Sequence, residues 1–241
     1  MVSKLVKPDV KKEGAGAKVK RLFPSQGMKH YDPFVLLDEF FVDPDNGFPE
    51  HPHGGFEAVT YILDGGFRHK DNMGNDSAIS IGGVQRFTAG KGIRHSEMPV
   101  GDEVSHGFQL WINLPRDMKE VEPTYQKVSA GDIPVERNDG IKITKIIDEG
   151  SPVEIKGDIK YHDYYFEEES SIDISIEKDF KSFVYVYEGN IIIDGKEIKK
   201  GNGYFTDDKE ISISADSNSA MIFLSGKPWN EKIRLQGSFV Q

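Results

Sequence analysis

The segment FQLWINLP (108–115) alternates without a break. Phe108, Leu110, Ile112 and Leu114 fall on one side of an extended chain, and Gln109, Trp111 and Asn113 on the other. Short runs of this kind recur along the chain, and 25 glycines collect in the breaks between them. AVTYILD runs into Asp64-Gly65-Gly66, which reads as a hairpin turn. MGND (73–76) and IGG (81–83) mark further turns. FVYVYEGNIIIDGKEI reads as two strands joined at Glu188-Gly189-Asn190, with a turn at Asp194-Gly195. Helical periodicity is nearly absent, and PRDMKEVEP (115–123) is the best short candidate for a helix. Evenly spaced short strands with glycine-rich turns predict an all-β sandwich or barrel.

At 241 residues the chain fits one large domain or two small ones. A weak internal echo favours two. YILDG (61–65) and YVYEG (185–189) share Tyr-x-x-acid-Gly, and GGVQRFT (82–88) resembles GNGYFT (201–206). Two readings stay open: one β-barrel unit used twice, or coincidence, since β-hairpins reuse Tyr and Gly freely. Turn residues and charge collect around VSAGDIPVERNDG, so the expected division is 1–131 and 132–241. All seven histidines precede residue 163. At the offset of the first echo His51, His53 and Glu57 map to Ser175, Glu177 and Lys181. Only the first unit is therefore expected to hold a metal.

Composition narrows the function. There is no cysteine, which removes disulfides, zinc-thiolate sites and thiol nucleophiles together. A net charge of −10 argues against sequence-independent nucleic-acid binding, which needs a positive surface. Apolar runs fall far short of a membrane span, and MVSKLVKPDVKKEG has no apolar core of a secretory signal, so a cytoplasmic protein is expected.

Two stretches carry chemistry. HPHGGFE (51–57) sets His51 and His53 at i and i+2, and GIRHSEMP (92–99) does the same with His95 and Glu97. On strands, each pair faces one way. If both strands line one barrel interior, three imidazoles and one carboxylate converge on one cation. Such donors suit Fe(II), Mn(II), Ni(II), Co(II), Cu(II) or Zn(II), and they leave two positions open on a six-coordinate ion. A lone His-x-His is more often a surface feature. Here Pro52 fixes the backbone between the two histidines, and Gly54, Gly55, Gly90 and Gly92 flank the pairs, which suits bulges and close approach. Glu57 is a rival ligand, or an acid that orients a histidine. His69 sits among charges beside a turn and reads as solvated; His106 reads as structural; His30 and His162 have no partner at metal spacing. Since imidazole binds metal only when neutral, affinity is expected to fall below about pH 6.

HPHGGFEAVTYILDG, DNMGNDSAISIGGVQRFTAGKGIRHSEMP and GFQLWINLP resemble the hallmark segments of the pirin family, a branch of the cupin superfamily. The resemblance extends upstream through RLFPSQGMKHYDPFVLLDEFF and resumes in FVYVYEGN and LSGKPWNE. It implies two double-stranded β-helix barrels packed face to face. It also implies an N-terminal site, commonly of iron, held by His51, His53, His95 and Glu97, with Glu57 not a ligand and the C-terminal barrel without metal. The chain departs from the family where Gly54 stands for the usual Arg, Arg86 for Trp and Gly66 for an acid. The resemblance further implies dioxygenase activity on flavonols such as quercetin, with dioxygen as co-substrate and Glu97 as ligand and general base. The alternative it carries is a non-enzymatic, redox-responsive protein that binds a transcription factor or metabolic enzyme.

Overall fold

The structure, a computed structural model, describes residues 3–241. Among these, regular structure is strand throughout, apart from single 3-10 turns at Arg116–Met118 and Ala130–Asp132. The helix expected near 115–123 shrinks to the first of these turns. Pro115 opens it with an extended backbone, and Pro123 stands too close for a second turn.

The chain forms two compact units. One comprises Asp9–Asp132 and Trp229–Gln241, the other Ile133–Pro228 and the N-terminal residues up to Pro8. A single cut at 131/132 does not describe them, because both chain ends cross over. Lys4–Val6 pairs with Asn202–Thr206 and forms the edge of the later unit's larger sheet. The tail hairpin, Leu235–Gln236 with Phe239–Val240, joins the earlier one, where Val240 N donates to Gly54 O at 2.9 Å.

The earlier unit pairs a seven-stranded and a four-stranded antiparallel sheet. The first runs Thr124–Val128, Val84–Thr88, Phe56–Asp64, Ser105–Asn113, Phe34–Val42, Ala17–Phe23, Asp9–Glu13. The second runs Phe48–His53, Ile93–Pro99, Gly66–Asp71, Asp76–Ser80. The later unit repeats this plan except at one edge, which Lys4–Val6 supplies from the N-terminal segment where Thr124–Val128 comes last in the earlier unit. Its seven run Lys4–Val6, Asn202–Thr206, Lys181–Glu188, Ser219–Gly226, Ile159–Phe166, Ile141–Ile147, Val135–Asn138, and its four Ser170–Ser175, Glu210–Ala215, Asn190–Ile193, Lys196–Lys199. The shared order of all the other strands makes the echo of YILDG in YVYEG a duplication of architecture.

Asp64-Gly65-Gly66 is no hairpin. Phe56–Asp64 belongs to the larger sheet and Gly66–Asp71 to the smaller, so the turn carries the chain between sheets. Gly65 has φ +71°, and a Cβ there would stand 3.0 Å from Ser105 Cα. Glu188-Gly189-Asn190 does the same in the later unit. Of the turns read from the sequence, MGND and Asp194-Gly195 do join paired strands, the latter with positive φ at both residues.

The interiors differ. The later unit is filled with aliphatic and aromatic side chains, among them Ile174, Ile191, Ile193, Ile211, Ile213, Met221 and Phe223. The earlier unit holds two smaller apolar clusters, one with Phe56, Phe87 and Trp111, the other with Phe40, Ile62 and Phe67. Polar groups occupy the space between them.

Candidate metal centre

Phe48–His53 lies at the edge of its sheet, so the missing N–H of Pro52 breaks no ladder. It pairs only with Ile93–Pro99, in a register that sets His95 opposite His51 and Glu97 opposite Phe48. A bulge between these pairs inserts one extra residue on the Phe48 side. As a result Phe48 and Pro49 both face the cavity rather than alternating.

The three histidines meet. His51, His53 and His95 offer ring nitrogens within 4.8 Å of one another, with ring centroids 4.6–4.9 Å apart. Proton positions follow from their partners. His51 Nδ1–H donates to Pro49 O at 2.7 Å, and His53 Nδ1–H to Ser238 O at 3.1 Å on the tail hairpin. Each then keeps a lone pair on Nε2. His95 Nδ1 faces His69 Nδ1 at 3.3 Å, and its Nε2 is buried without a hydrogen-bond partner among the described residues. A buried, unmatched imidazole nitrogen beside two other lone pairs is costly alone and is satisfied by a cation. The residues present therefore fit a metal ion.

Glu97 joins a second group with His95 and His69, also within 4.8 Å. The two groups share His95: the three expected histidines form one, while the expected Glu97 is grouped with His95 and His69 rather than with His51 and His53. Glu97 is buried and accepts from Gln85 Nε2 at 2.5 Å, Thr60 Oγ1 at 3.2 Å and Gln109 Nε2 at 3.0 Å. Burial raises its pKa to about 7, against those three donors. Burial, reinforced by neighbouring histidines, drives His53 down to about 3 and His95 well below the usual imidazole range. These two rings are thus neutral well below pH 6. Burial thus acts in opposite directions on charge here, holding these two imidazoles neutral and Glu97 protonated.

His69 overturns its sequence assignment. It is fully buried, paired across the sheet with Glu97, and its Nε2 bonds Asp71 Oδ2 at 2.9 Å. A signal for this was present in FRHKD. Phe67, His69 and Asp71 share one face, Arg68 and Lys70 the other, the same i, i+2 rhythm as the two pairs above. Glu57 lies on the other side of its strand, aligned with Thr88 and Ile112 and accepting from Thr88 Oγ1 at 2.8 Å. It faces away from Ala58 and Thr60, whose face carries the site. Gln85, Thr60 and Gln109 were not singled out by the sequence. Their signal is alternation on strands flanking Glu97. His106 bonds Glu39 at 3.0 Å and stacks on Phe41, a structural placement. The Gly54 departure leaves room that Phe239 uses, since a Cβ there would approach its ring to 2.9 Å. Arg86 is buried on the face away from the site, donating to Thr88 and Thr124.

A cavity of about 440 Å³ opens above the histidines. Phe40, Phe48, Phe67 and Trp111 form its apolar walls, and His51, His53, Glu97 and Gln109 its polar floor. Arg21 and Asp38, joined at 2.8 and 2.7 Å, stand on one wall.

Known proteins share this plan. The family model for Pirin matches residues 16–112, and the Pirin C-terminal cupin domain matches 161–241. Pirin-like protein 2 of Arabidopsis thaliana is 38% identical over 99% of this chain and 73% of its own length. A putative quercetin 2,3-dioxygenase of Pseudomonas aeruginosa is 35% identical, over 95% of this chain and 87% of its own length. A crystal structure of quercetin 2,3-dioxygenase from Acinetobacter baumannii superposes with a TM-score of 0.91 at 25% identity, covering 99% of this chain and 83% of that one. The chain, two cupin barrels with a candidate His/Glu metal site in the first, belongs to the pirin family.

Proposed function

We propose that the protein is a metal-dependent dioxygenase that opens flavonols such as quercetin. Its ion would be held by His51, His53, His95 and Glu97. The observation that carries this reading is the convergence of His51, His53 and His95 beside an aromatic pocket, with the hydrogen-bonded carboxylate of Glu97 grouped with His95. These donors suit a divalent first-row ion, and the pirin resemblance favours Fe(II) over Mn, Ni, Co, Cu or Zn. When bound, the ion supplies Lewis acidity toward the substrate oxygens and reactivity toward dioxygen. The relatives named as quercetin 2,3-dioxygenases support the substrate class.

The chain's own residues do the rest. Phe48, Phe67 and Trp111 flank a flat ring system and exclude water from the floor. Glu97 receives the proton of the flavonol 3-hydroxyl. Burial raises this carboxyl in the metal-free chain, and a bound ion would favour its ionised, proton-accepting form. Gln85, Thr60 and Gln109 hold both of its oxygens, so the proton is taken at a fixed point. The reaction balances without a reductant: flavonol and dioxygen give a ring-opened ester and carbon monoxide. The lack of cysteine supports placing this chemistry in a reducing cytoplasm.

The test is quercetin-dependent oxygen uptake by protein loaded anaerobically with Fe(II), with bound iron counted in the same sample. About one iron per chain with uptake, and its loss in Glu97→Gln at retained iron, supports the assignment. Full occupancy without uptake overturns it, and favours a redox-responsive protein that binds a partner.

A further inference from the structure

We propose that Asp71 and His69 are positioning residues that fix the tautomer and ring plane of His95, making it the strongest donor of the three histidines. The proposal rests on the metal reading above.

For a neutral His69, the form its burial favours, the proton count leaves one solution. Asp71 is shielded from solvent on its carboxylate and accepts four hydrogen bonds. They come from His69 Nε2 at 2.9 Å, Asn75 Nδ2 at 2.8 Å, Asn75 N at 3.0 Å and Met73 N at 2.9 Å. Those donors require an ionised acceptor, so His69 carries its proton on Nε2. A neutral His69 then has only a lone pair on Nδ1. The atom facing it, His95 Nδ1 at 3.3 Å, must be the donor. His95 Nε2 is left without hydrogen, and it is a buried atom with no hydrogen-bond partner among the described residues. The chain of contacts Asp71–His69–His95 thus ends on a lone pair aimed at the cluster of His51 and His53.

Two observations separate this from simple packing. The rival idea, that His69 is itself a ligand, fails on its nitrogens, since Nε2 is taken by Asp71 and Nδ1 by His95. His51 and His53 donate instead to neutral backbone carbonyls, of Pro49 and Ser238. Only His95 is connected through an imidazole to a buried carboxylate. Carboxylate-backed imidazoles are held in orientation and are more basic donors, and loss of such support costs 10–100-fold in metal affinity. The backing is rigid: His69 stacks on Tyr125 at 4.3 Å and 18°, and Tyr125 is tied to Ser77 at 2.6 Å.

The test uses Co(II), whose visible bands report donor strength, on the full chain. Wild type, His69→Leu, His69→Gln and Asp71→Asn are titrated against a competing chelator, and the metal-free melting temperature of each is recorded. His69→Leu is expected to weaken Co(II) by about 10–100-fold and to displace the bands. His69→Gln restores part of the affinity, because its Oε1 can accept from His95 Nδ1–H. Asp71→Asn keeps the hydrogen bond without the charge and falls between; it carries the comparison should His69→Leu not fold. Folded variants that bind Co(II) with wild-type affinity and bands overturn the proposal, as does a loss of melting temperature alone. Wild type that binds no Co(II) overturns the metal reading itself, and the relay with it.

Discussion

In the metal-free protein Glu97 holds its proton up to about pH 7, while His53 has released its own above about pH 3. Metal binding near neutral pH therefore displaces a proton from a carboxylic acid. With a pKa of about 7, the ionised fraction falls from roughly 0.9 at pH 8 to roughly 0.01 at pH 5. That change alone weakens apparent affinity by about ninetyfold, or about 2.7 kcal/mol. Glu97→Gln removes the titrating group while keeping the shape and an acceptor oxygen. The assay is Co(II) titration between pH 5 and 8, for wild type and Glu97→Gln, read as the difference between their slopes. Taking the difference cancels every other group that titrates in both proteins. The expected difference is close to one proton per ion below pH 7, vanishing above pH 8. Equal slopes in the two proteins would refute the reasoning. So would a difference centred near pH 4.5, which would mean that burial does not govern this carboxyl.

Three other outcomes follow from the same geometry. The raised pKa of Glu97 contributes stability that is complete below about pH 4.5 and is lost as pH rises through 7, whereas the depressed His53 contributes stability above pH 6.5 that is lost toward pH 3, by roughly 5 kcal/mol at most. Metal-free wild type should thus unfold at lower urea at pH 8.5 than at pH 6, and Glu97→Gln should abolish that alkaline loss; an unchanged alkaline limb in the variant would count against the assignment. Gly55→Ala would place a Cβ 1.9 Å from Val240 O at a φ of +83°, so it should displace the tail hairpin that holds His53 and weaken Co(II) binding along with stability, measured by titration and melting. Arg21→Met leaves the buried Asp38 without its bidentate partner and should cost about 3–5 kcal/mol in urea unfolding.

The ligand candidates were legible because strand parity is local. His51 with His53, and His95 with Glu97, need only an extended backbone to face one way. His69 follows the same rule, but Arg68 and Lys70 on either side gave FRHKD the look of a solvated turn. Charge on the outer face says nothing about the inner one. Hairpins were the weaker inference. Asp64-Gly65-Gly66 and Asp194-Gly195 have similar turn chemistry, yet only the second joins paired strands. What decides is the partner strand, and for Phe56–Asp64 the partners are Ser105–Asn113 and Val84–Thr88. The longest reach was least visible. Ser238 meets His53 across 185 residues, and nothing in SFVQ announces a return to the first unit.

Two units with one strand order hold opposite interiors, and this has a consequence for local stability. In the later unit Ile172 pairs with Ile213 and Ile174 with Ile211, on the strands that correspond to those bearing His51, His53, His95 and Glu97. The offset of the first echo, which pointed to Ser175 and Glu177, does not hold on this strand; both are exposed. Aliphatic side chains there satisfy themselves. The earlier unit buries His53, His69, His95, Glu97 and Gln85 instead, with one imidazole nitrogen unmatched until a cation arrives. Binding free energy is then local folding free energy, worth about 2.7 kcal/mol at a hundredfold excess over Kd. Co(II) should slow amide hydrogen exchange in Phe48–His53, Gly66–Asp71, Ile93–Pro99 and the tail hairpin, and leave Ser170–Ser175 and Glu210–Ala215 at their metal-free rates. Equal slowing in the two four-stranded sheets would show that the ion stabilises the chain as one cooperative block, against the division of labour argued from their interiors.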